Sequence, residues 1–498
     1  MRRTLYLVHR WTGIAMCVLM VLWFVSGVVM LFVGYPKLTP VERLSALPPL
    51  AADGCCIAPE QALARINNPA AVTAITLTSI GGRPHYQLLQ ADGSTTQVDA
   101  VSGVRATPAD AKAALAAAIM FKPGAPAHYL GQIEEDRWTH SRGLNPHRPL
   151  HVVQLDDAAA TRVYVSSATG QVVLDAARAE RYWNFAGAWL HWLYMLRQQN
   201  TDPVWTWTLI GLSAVGVLSA VTGLVNGVWR WRFTARYKSG QRTPYREFVM
   251  RWHHMLGLGF GAVLCTWMFS GLMSMNPLGI FNATGARPDA AAMQGGSPAS
   301  VRLAQPVAQV LARLHEQSFI PRELAWQVFD GQPVIVARDG ANRTRIVSAG
   351  AQGLDLAQQW PQARLEAAAR RLLPFPVQAV ELLTSADAYY YQRGDASMYG
   401  GNERRLPALR VAFADPGQTW VYVDASTGQV ALSLDRRQRL GRWLFNFLHS
   451  WDLPQFLTPG WPRNTLLIAL SIGGLLLSAS AVVIAARRLR RSRQTSAA

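Results

Sequence analysis

Four of the eleven histidines recur in pairs along the 498-residue chain. At a spacing of 258 residues His191 is matched by His449, and at a spacing of 244 residues His9 is matched by His253. The same spacings relate further short matches: Val163-Tyr164-Val165 with Val421-Tyr422-Val423, Thr169-Gly170-Gln171-Val172 with Thr427-Gly428-Gln429-Val430, Trp23 with Trp267, and Ser26-Gly27 with Ser270-Gly271. The chain is therefore predicted to contain two copies of one unit.

Paired histidines at such positions suit the binding of haem iron. Two imidazoles fill both axial positions, which leaves an electron-transfer centre with no open coordination site. An ionisable side chain near a bilayer is costly and usually faces the interior of a helix bundle, paired or liganded. We therefore expect His9 to share one haem with His253, and His191 to share a second haem with His449. The chain contains no Cys-x-x-Cys-His motif, so both are expected to be non-covalent, b-type haems.

Two glycines and a neighbouring histidine bear on this hypothesis. Gly13 and Gly257 follow His9 and His253 by four residues, on the same helical face. A missing side chain at these positions would let a flat macrocycle approach the backbone. His254 adjoins His253 and is an alternative ligand. The competing interpretation is that all of these histidines snorkel or hydrogen-bond at helix ends.

Four long apolar runs must position the histidines. Hydrophobic residues make up 50% of the chain, and four nearly uncharged runs are each at least about 20 residues long, enough to cross a hydrocarbon core as helices. These runs are Trp11–Val33, Val204–Trp229, Met255–Met275 and Thr465–Ala486. The first is too long for the apolar part of a secretory signal, and we expect it to be retained.

The formal net charge of +18 is concentrated beside these runs. Basic clusters precede the first run, fill the connection between the second and third, and follow the fourth: Arg2, Arg3 and Arg10; Arg230, Arg232, Arg236, Lys238, Arg242, Arg246 and Arg251; Arg487, Arg488, Arg490, Arg491 and Arg493. By the positive-inside rule both termini and the short connection lie in the cytoplasm. The expected location is the bacterial inner membrane, and since the lipid bilayer explains the charge, no nucleic-acid binding is expected.

The predicted fold is a membrane α-helical bundle of four transmembrane helices, built from a duplicated two-helix unit, with two large α+β periplasmic regions. Its parts, in order, are an N-terminal tail with transmembrane helix 1 (1–34), periplasmic region 1 (35–178), an interfacial helix (179–203), transmembrane helix 2 (204–229), a cytoplasmic basic loop (230–252), transmembrane helix 3 (253–278), periplasmic region 2 (279–434), an interfacial helix with a linker (435–462), transmembrane helix 4 (463–486) and a cytoplasmic basic tail (487–498).

Within the periplasmic regions, short β-rich runs alternate with turn residues and helical segments. In region 1 helices are predicted at Pro59–Ile66 and Pro108–Met120, and strands at Val72–Ser79, His85–Gln90, Thr95–Val101, Pro149–Leu155 and Arg162–Ser166. In region 2 helices are predicted near Ala304–His315 and at Leu356–Leu373, and strands at Glu323–Val328, Gln332–Arg338, Arg343–Val347, Leu406–Ala414 and Gln418–Asp424. Tryptophans and arginines, which suit a membrane interface, mark the interfacial helices Ala179–Leu196 and Arg436–Trp451.

A long motif in the C-terminal half resembles the PepSY-associated transmembrane family. It is Asp415-Pro416, then Trp420-Val421-Tyr422-Val423-Asp424, Thr427-Gly428, Arg442-Trp443 and Leu448-His449-Ser450-Trp451-Asp452. The resemblance extends over essentially the whole chain, although the N-terminal copy keeps only Thr169-Gly170 and Leu190-His191 and has Ser166 where the family favours Asp. It implies PepSY-like modules between the helices and an inner-membrane haem protein that reduces ferric siderophores in the periplasm. The flavin domain fused to some relatives is not expected here.

Two function classes follow. The favoured hypothesis is a ferric-siderophore reductase with about two haems b, which takes electrons from quinol or a cytoplasmic reductase, because the chain has no recognisable site for NAD(P)H or flavin. Reduction weakens the hold of hard oxygen ligands on iron, which would release it from a ferric chelate. The alternative is a non-catalytic PepSY membrane protein that binds or regulates a periplasmic protease or acts as a sensor. A transporter is disfavoured because the apolar runs carry no acidic residue.

Other residues leave their alternatives open. His140, His147 and His151 could bind a metal or an anion, or be solvated loop residues. Tyr389-Tyr390-Tyr391 after Asp387 matches a feature of the family and could hold a siderophore or the edge of a haem, or pack against the membrane-proximal helix. Cys55 and Cys56 could form a vicinal disulfide or remain thiols, while Cys17 and Cys265 are expected to pack as small apolar groups. No catalytic residue is assigned.

Overall fold

Four long helices contain the four apolar runs. The computed structural model describes residues 1–198, 202–297, 306–351, 353–398, 400–401, 403–458 and 460–496, with 491–496 described by backbone alone. Helices α1 (Arg2–Met30), α6 (Pro203–Arg230), α7 (Phe248–Ser274) and α14 (Trp461–Ser496) are each long and apolar enough to cross a membrane. This confirms a membrane protein with four apolar helices. Two of them begin or end well outside the apolar runs, since flanking arginines are good helix formers.

The remaining helices are short. In chain order they are α2 (Pro40–Ala46), α3 (Pro59–Leu63), α4 (Ala111–Phe121), α5 (Arg178–Asn184), α8 (Ala290–Gln294), α9 (Val307–Glu316), α10 (Gln362–Ala369), α11 (Arg436–Gly441), α12 (Leu448–Ser450) and α13 (Pro454–Leu457). Sequence signals explain several of their starts: Thr39 and Glu42 form a capping box on α2, and the Asp110 carboxylate accepts a hydrogen bond from the Ala113 backbone N–H at the start of α4.

In the part of the chain that the structure describes, all the strands pair antiparallel in three sheets. They are β1 (Val72–Ile80), β2 (Arg83–Gln90), β3 (Thr95–Asp99), β4 (Ala127–Ile133), β5 (Leu150–Leu155), β6 (Arg162–Ser166), β7 (Val172–Ala176), β8 (Pro321–Phe329), β9 (Gln332–Asp339), β10 (Thr344–Gly350), β11 (Gly353–Ala357), β12 (Val377–Leu383), β13 (Ala408–Phe413), β14 (Trp420–Asp424) and β15 (Val430–Leu434). The strand orders are β11-β10-β9-β8-β1-β2-β3, β4-β5-β6-β7 and β12-β13-β14-β15. The prediction of extramembrane α+β regions with antiparallel sheets is confirmed.

The largest sheet joins the two extramembrane segments, which the sequence prediction treated as separate regions. β1 pairs with β8, with Ile75 opposite Trp326 and Leu77 opposite Leu324. These side chains are buried in one hydrophobic core together with Tyr86. The chain accordingly divides into two compact units, Met1–Tyr35 with Trp183–Ala283 and Arg437–Ala498, and Pro36–Tyr182 with Thr284–Arg436.

Ten predicted strands lie within about three residues of observed ones, a typical error for element boundaries. The helix predicted at Leu356–Leu373 was wrong in part. The chain at Leu356 belongs to strand β11, in which Leu354 and Leu356 pair with β10, and the helix begins only at Gln362. The helix predicted near Ala304–His315 is observed as α9, although residues 304 and 305 lie outside the described residues. Cys55 and Cys56 are joined by a disulfide.

Candidate haem-ligating histidine pairs

The four apolar helices pack around a core of sulfur-containing, aliphatic and aromatic side chains. α1 packs against α6 and α14, and α7 packs against the same two helices. Met16, Met20 and Phe24 of α1 meet Leu264 and Met268 of α7 in this core. The predicted histidine pairs lie at the two ends of α1 and α7, on either side of it.

His9 and His253 face each other across the first end of the bundle. Their ring centres are 6.3 Å apart, with an angle of 31° between the ring planes. His9 Nδ1 donates to the backbone carbonyl of Ser219 in α6 at 3.0 Å. His253 Nδ1 lies 2.8 Å from Ser480 Oγ in α14, and that hydroxyl already donates its hydrogen to the Leu477 carbonyl at 2.6 Å. Ser480 therefore accepts the hydrogen bond from His253.

His191 and His449 form the second pair, and their ring centres are also 6.3 Å apart. His191 Nδ1 lies 3.0 Å from Ser26 Oγ, whose hydrogen is donated to the Leu22 carbonyl at 2.7 Å. His449 Nδ1 lies 2.9 Å from Ser270 Oγ, whose hydrogen is donated to the Trp267 carbonyl at 3.1 Å. Both serines therefore accept hydrogen bonds from the histidines.

The backbone before and after each histidine of this second pair is irregular in the same way. A π-helical turn precedes each histidine, Phe185–Trp189 before His191 and Arg442–Phe447 before His449. Each histidine is followed two residues later by a left-handed residue, Leu193 with φ 50° and Trp451 with φ 48°. Such π-turns and left-handed non-glycine residues are uncommon and concentrate at functional sites.

With the serine hydroxyls donating to carbonyls of their own helices, the hydrogen bonds assign one tautomer to all four histidines. Since every Nδ1 faces an acceptor, each neutral ring carries its hydrogen on Nδ1 and has a lone pair on Nε2. This is the arrangement by which proteins orient metal-binding histidines, with one ring nitrogen hydrogen-bonded and the other directed at the metal. Ser26 and Ser270 belong to a dipeptide that recurs in the sequence, but no sequence pattern assigns them this role.

The distances also fit a metal ion between the rings of each pair. Imidazole nitrogens bind transition metals at about 2.0–2.1 Å, and the centre of the ring lies about 1.1 Å behind that nitrogen. Two imidazoles on opposite sides of one metal therefore have ring centres roughly 6.3 Å apart. Ordinary aromatic contacts cover the same range. These two pairs differ from ordinary aromatic contacts because each combines this distance between ring centres with a hydrogen on Nδ1 of both histidines.

The two pairs lie about a bilayer core apart along the helices. His9 and Ser26, the partner of His191, are 17 positions apart on α1, as are His253 and Ser270 on α7. At 1.5 Å per residue this corresponds to roughly 25 Å along the helix axis. One pair is therefore near each face of a hydrocarbon core of about 30 Å.

A cavity adjoins the His9–His253 pair. The space in it that the centre of a water molecule can occupy is about 170 Å³. Both predicted glycines, Gly13 and Gly257, line it. A water needs only about 10–15 Å³ by that measure, so the cavity is far larger than a packing defect. A methyl group added at either glycine would meet its nearest side chain only at 3.8 Å, so the protein's own packing does not require these glycines. Clearance for a ligand in the cavity would explain them.

His254 is held differently from its neighbour. Its Nε2 donates to the Gly227 carbonyl at 2.8 Å, and its Nδ1 accepts from the Thr243 hydroxyl at 2.7 Å. Both ring nitrogens are therefore engaged by the protein, and the tautomer is opposite to that of the four paired histidines. This geometry favours His253 over His254 as a metal ligand.

Gly223 of α6 contacts the His9 ring and gives a test of this geometry. A Cβ atom at this position would lie 2.6 Å from His9 Cε1 and 2.9 Å from Nδ1. We expect Gly223→Ala to displace the ring, break its bond to Ser219 and reduce haem binding at the His9–His253 pair by at least about tenfold, the effect typical of lost orienting contacts. Gly211→Ala is the matched control, because a Cβ on Gly211 of the same helix meets nothing within 4 Å. Haem titration of both variants checks this, and equal binding by the two would contradict the proposed position of His9.

Comparison with known families agrees with this architecture. The sequence profile described as PepSY-associated TM region matches residues 6–355, more than half of the chain. The chain belongs to the PepSY-associated TM family. The matched range includes His9, His191 and His253 and ends before the C-terminal motif. A comparison with curated proteins finds no match to the chain.

The other candidate residues of this PepSY-associated TM protein have separate partners. His140 pairs with Glu135, His147 Nδ1 contacts Ser166 Oγ at 3.2 Å, and His151 contacts Tyr129 Oη and the Ala109 carbonyl, both at 2.9 Å. Burial lowers the pKa of His147 below its usual value. Among the described residues, no group of three or more His, Cys, Asp or Glu side chains is arranged to hold a metal.

Tyr390, the middle residue of the tyrosine run, contributes to packing. Tyr390 is fully buried, its ring stacks on Tyr422 with centres 5.0 Å apart, and its hydroxyl donates to the Arg405 carbonyl at 2.9 Å. Asp387 accepts hydrogen bonds from the backbone N–H groups of Tyr389 and Tyr390 and from the Tyr422 hydroxyl. Asp387 therefore orders the turn that carries these rings.

Proposed function

We propose that the protein is an inner-membrane b-type haem protein that passes electrons across the membrane and reduces ferric siderophores in the periplasm, which releases iron. One haem would be held by His9 and His253 and the other by His191 and His449. The observation that carries this proposal is the shared tautomer: four histidines, in two pairs at equal ring distances, each with Nδ1 hydrogen-bonded to an acceptor and a lone pair on Nε2.

The chain's own residues would orient these groups and keep them dry. When bound, a haem with two imidazole ligands supplies reversible one-electron transfer and has no open position for oxygen. The serine and carbonyl acceptors hold the four imidazoles in place. The side chains of Met16, Met20, Phe24 and Met268 fill the bundle between the two pairs and exclude water from it. A ferric chelate would be the substrate, and quinol or a cytoplasmic reductase would be the electron donor.

The duplication supports the pairing of equivalent histidines. β6 and β14 lie 258 residues apart, as do β5 and β13, and β7 and β15, which is the spacing of the sequence matches. A duplicated unit whose copies are related by a pseudo-two-fold axis along the membrane normal brings equivalent residues to the same depth. We propose that the sheets β4–β7 and β12–β15 are the PepSY-like modules of the two copies.

We further propose that both termini and residues 230–252 lie in the cytoplasm, because the basic clusters flank the helices on that side. A reporter placed within Gln241–Thr243 should then give no alkaline phosphatase activity, and one placed near Gly353 should be active. A green fluorescent reporter at the same two positions is the reciprocal control. Phosphatase activity at the first site, or its absence at the second, would overturn this topology.

The reaction can be tested with purified protein. The reduced protein should show the bands of b-type haem, and anaerobic mixing with a ferric siderophore should reoxidise it while a ferrous-specific chelator captures the released iron. A matched gallium siderophore, which cannot be reduced, should leave the haems reduced. A folded and colourless protein would instead favour the non-catalytic alternative, and haems that stay reduced with both siderophores would refute the reductase.

A further inference from the structure

The cavity beside His9 and His253 contains positive charge without matching negative charge. Among the described residues, its lining includes Arg10 and Arg488 and no Asp or Glu. Most of the remaining lining is glycine, alanine and larger aliphatic residues. Arg10 is partly buried and Arg488 is exposed, and two cations beside an apolar cavity attract an anionic ligand.

The protein itself does not neutralise these arginines. In the described part of the chain, neither Arg10 nor Arg488 has an Asp or Glu within ion-pair distance, and Arg10 instead lies over the Tyr6 ring at 4.7 Å. The adjacent Arg487 behaves differently, because it pairs with Glu247 at 2.6 Å. Two cations without a carboxylate partner among the described residues therefore line the cavity.

The repeat-related positions do not provide a second such pair. His254 stands where the first copy has Arg10, and both of its ring nitrogens are hydrogen-bonded. Arg230 stands where the second copy has Arg488, and it donates to the Tyr245 hydroxyl at 2.8 Å. Only one side of the two-fold arrangement thus presents arginines to the cavity.

We propose that Arg10 and Arg488 form a carboxylate-binding site that takes the two propionates of the haem held by His9 and His253. The inference rests on the proposed function and extends it to the orientation of that haem. Arginine binds carboxylates through parallel, charge-assisted hydrogen bonds, and two arginines balance two propionates. The acidic edge of the macrocycle would then face the end of the cavity that carries these arginines.

The full-length apo-protein can be titrated with haem b and with its dimethyl ester, which lacks the two charges. The His191→Ala/His449→Ala background, which lacks both ligands of the other pair, limits the measurement to the His9–His253 pair. We expect haem b to bind at least about tenfold more tightly than the diester, as for hydrogen bonds between charged groups. Arg10→Gln/Arg488→Gln should remove this preference and leave the affinity for the diester unchanged, whereas Arg487→Gln should keep it.

A second readout needs no altered histidine. In the holoprotein with both haems, the double variant should lower the midpoint potential of one centre only, because removal of positive charge disfavours the reduced form. The proposal is overturned if Arg10→Gln/Arg488→Gln still prefers haem b to the diester and keeps both midpoint potentials. It is equally overturned if Arg487→Gln changes the preference and the potential as the double variant does. A third contradicting result is that haem b and the diester bind the wild type equally, while Arg10→Gln/Arg488→Gln loses a bound anionic lipid. Failure of the wild type to bind any haem would refute the proposed function itself.

Discussion

His449→Ala should remove about half of the bound haem, or convert one of the two centres to a high-spin form, because the iron loses one of its two axial ligands. The other centre should keep its spectrum, since His9 and His253 lie at the opposite end of α1 and α7. His9→Ala should have the converse effect. Optical and electron paramagnetic resonance spectra of the two variants distinguish the centres.

These variants also separate the roles of the two centres. His449→Ala should block reduction of an external ferric siderophore while the remaining haem is still reduced by the donor. His9→Ala should leave a haem that dithionite reduces and the physiological donor does not. His315→Ala, at an exposed position of α9, is the control for histidine removal. Loss of the same centre in both variants, or unchanged spectra in both, would rule out the pairing.

Arg442→Met should lower the thermal midpoint of the protein by on the order of 10 °C, the shift that corresponds to a few kcal/mol in a unit of this size. Arg442 and Asp452 form an ion pair at 2.8 Å, and their side chains are 7% and 0% exposed. Removal of one partner leaves the other charge buried without compensation, which costs about 3–5 kcal/mol. Asp452→Asn should be similarly destabilising, and the combination Arg442→Met/Asp452→Leu should recover most of the loss.

The ion pair also bears on the histidine between its members. Because Arg442 and Asp452 bracket His449 in sequence, the single variants should disturb the His191–His449 centre and spare the other one. Arg313→Met is the control, since its pair with Glu316 is 45% and 62% exposed and should contribute less than about 1 kcal/mol. Differential scanning of all four variants checks this. An equal effect of Arg313→Met, or no recovery in the double variant, would contradict the role given to the buried pair.

The histidine pairs and the four helices could be predicted because their signals are local or repeated. A run of about 20 apolar residues is evidence for a membrane helix by itself, and two constant spacings single out four of eleven histidines. The acceptors of their Nδ1 hydrogens could not be predicted in the same way. Ser219 uses its backbone carbonyl, and Ser480 lies 227 residues from His253, so no local pattern marks either of them.

The sheet that joins the two extramembrane segments illustrates a second limit. The alternating residues of β1 and β8 show that each is a strand, but not which edge each one pairs with. That choice depends on burial of Ile75, Leu77 and Trp326 in a common core, which forms only when distant segments meet. The edge strands β4 and β12 were missed for a related reason: their side chains are largely exposed, so the apolar alternation of a half-buried strand is weak.

The most direct test of the two-centre proposal is the amount of haem per polypeptide in the purified, full-length protein. A pyridine haemochrome assay combined with amino-acid analysis measures this ratio without reference to activity, substrate or donor. With one haem for each histidine pair, the expected result is about two haems b per chain, all extractable by acidic acetone because none is covalently attached. A folded protein with no haem, or with a single haem that is lost equally in His9→Ala and His449→Ala, would contradict the proposal.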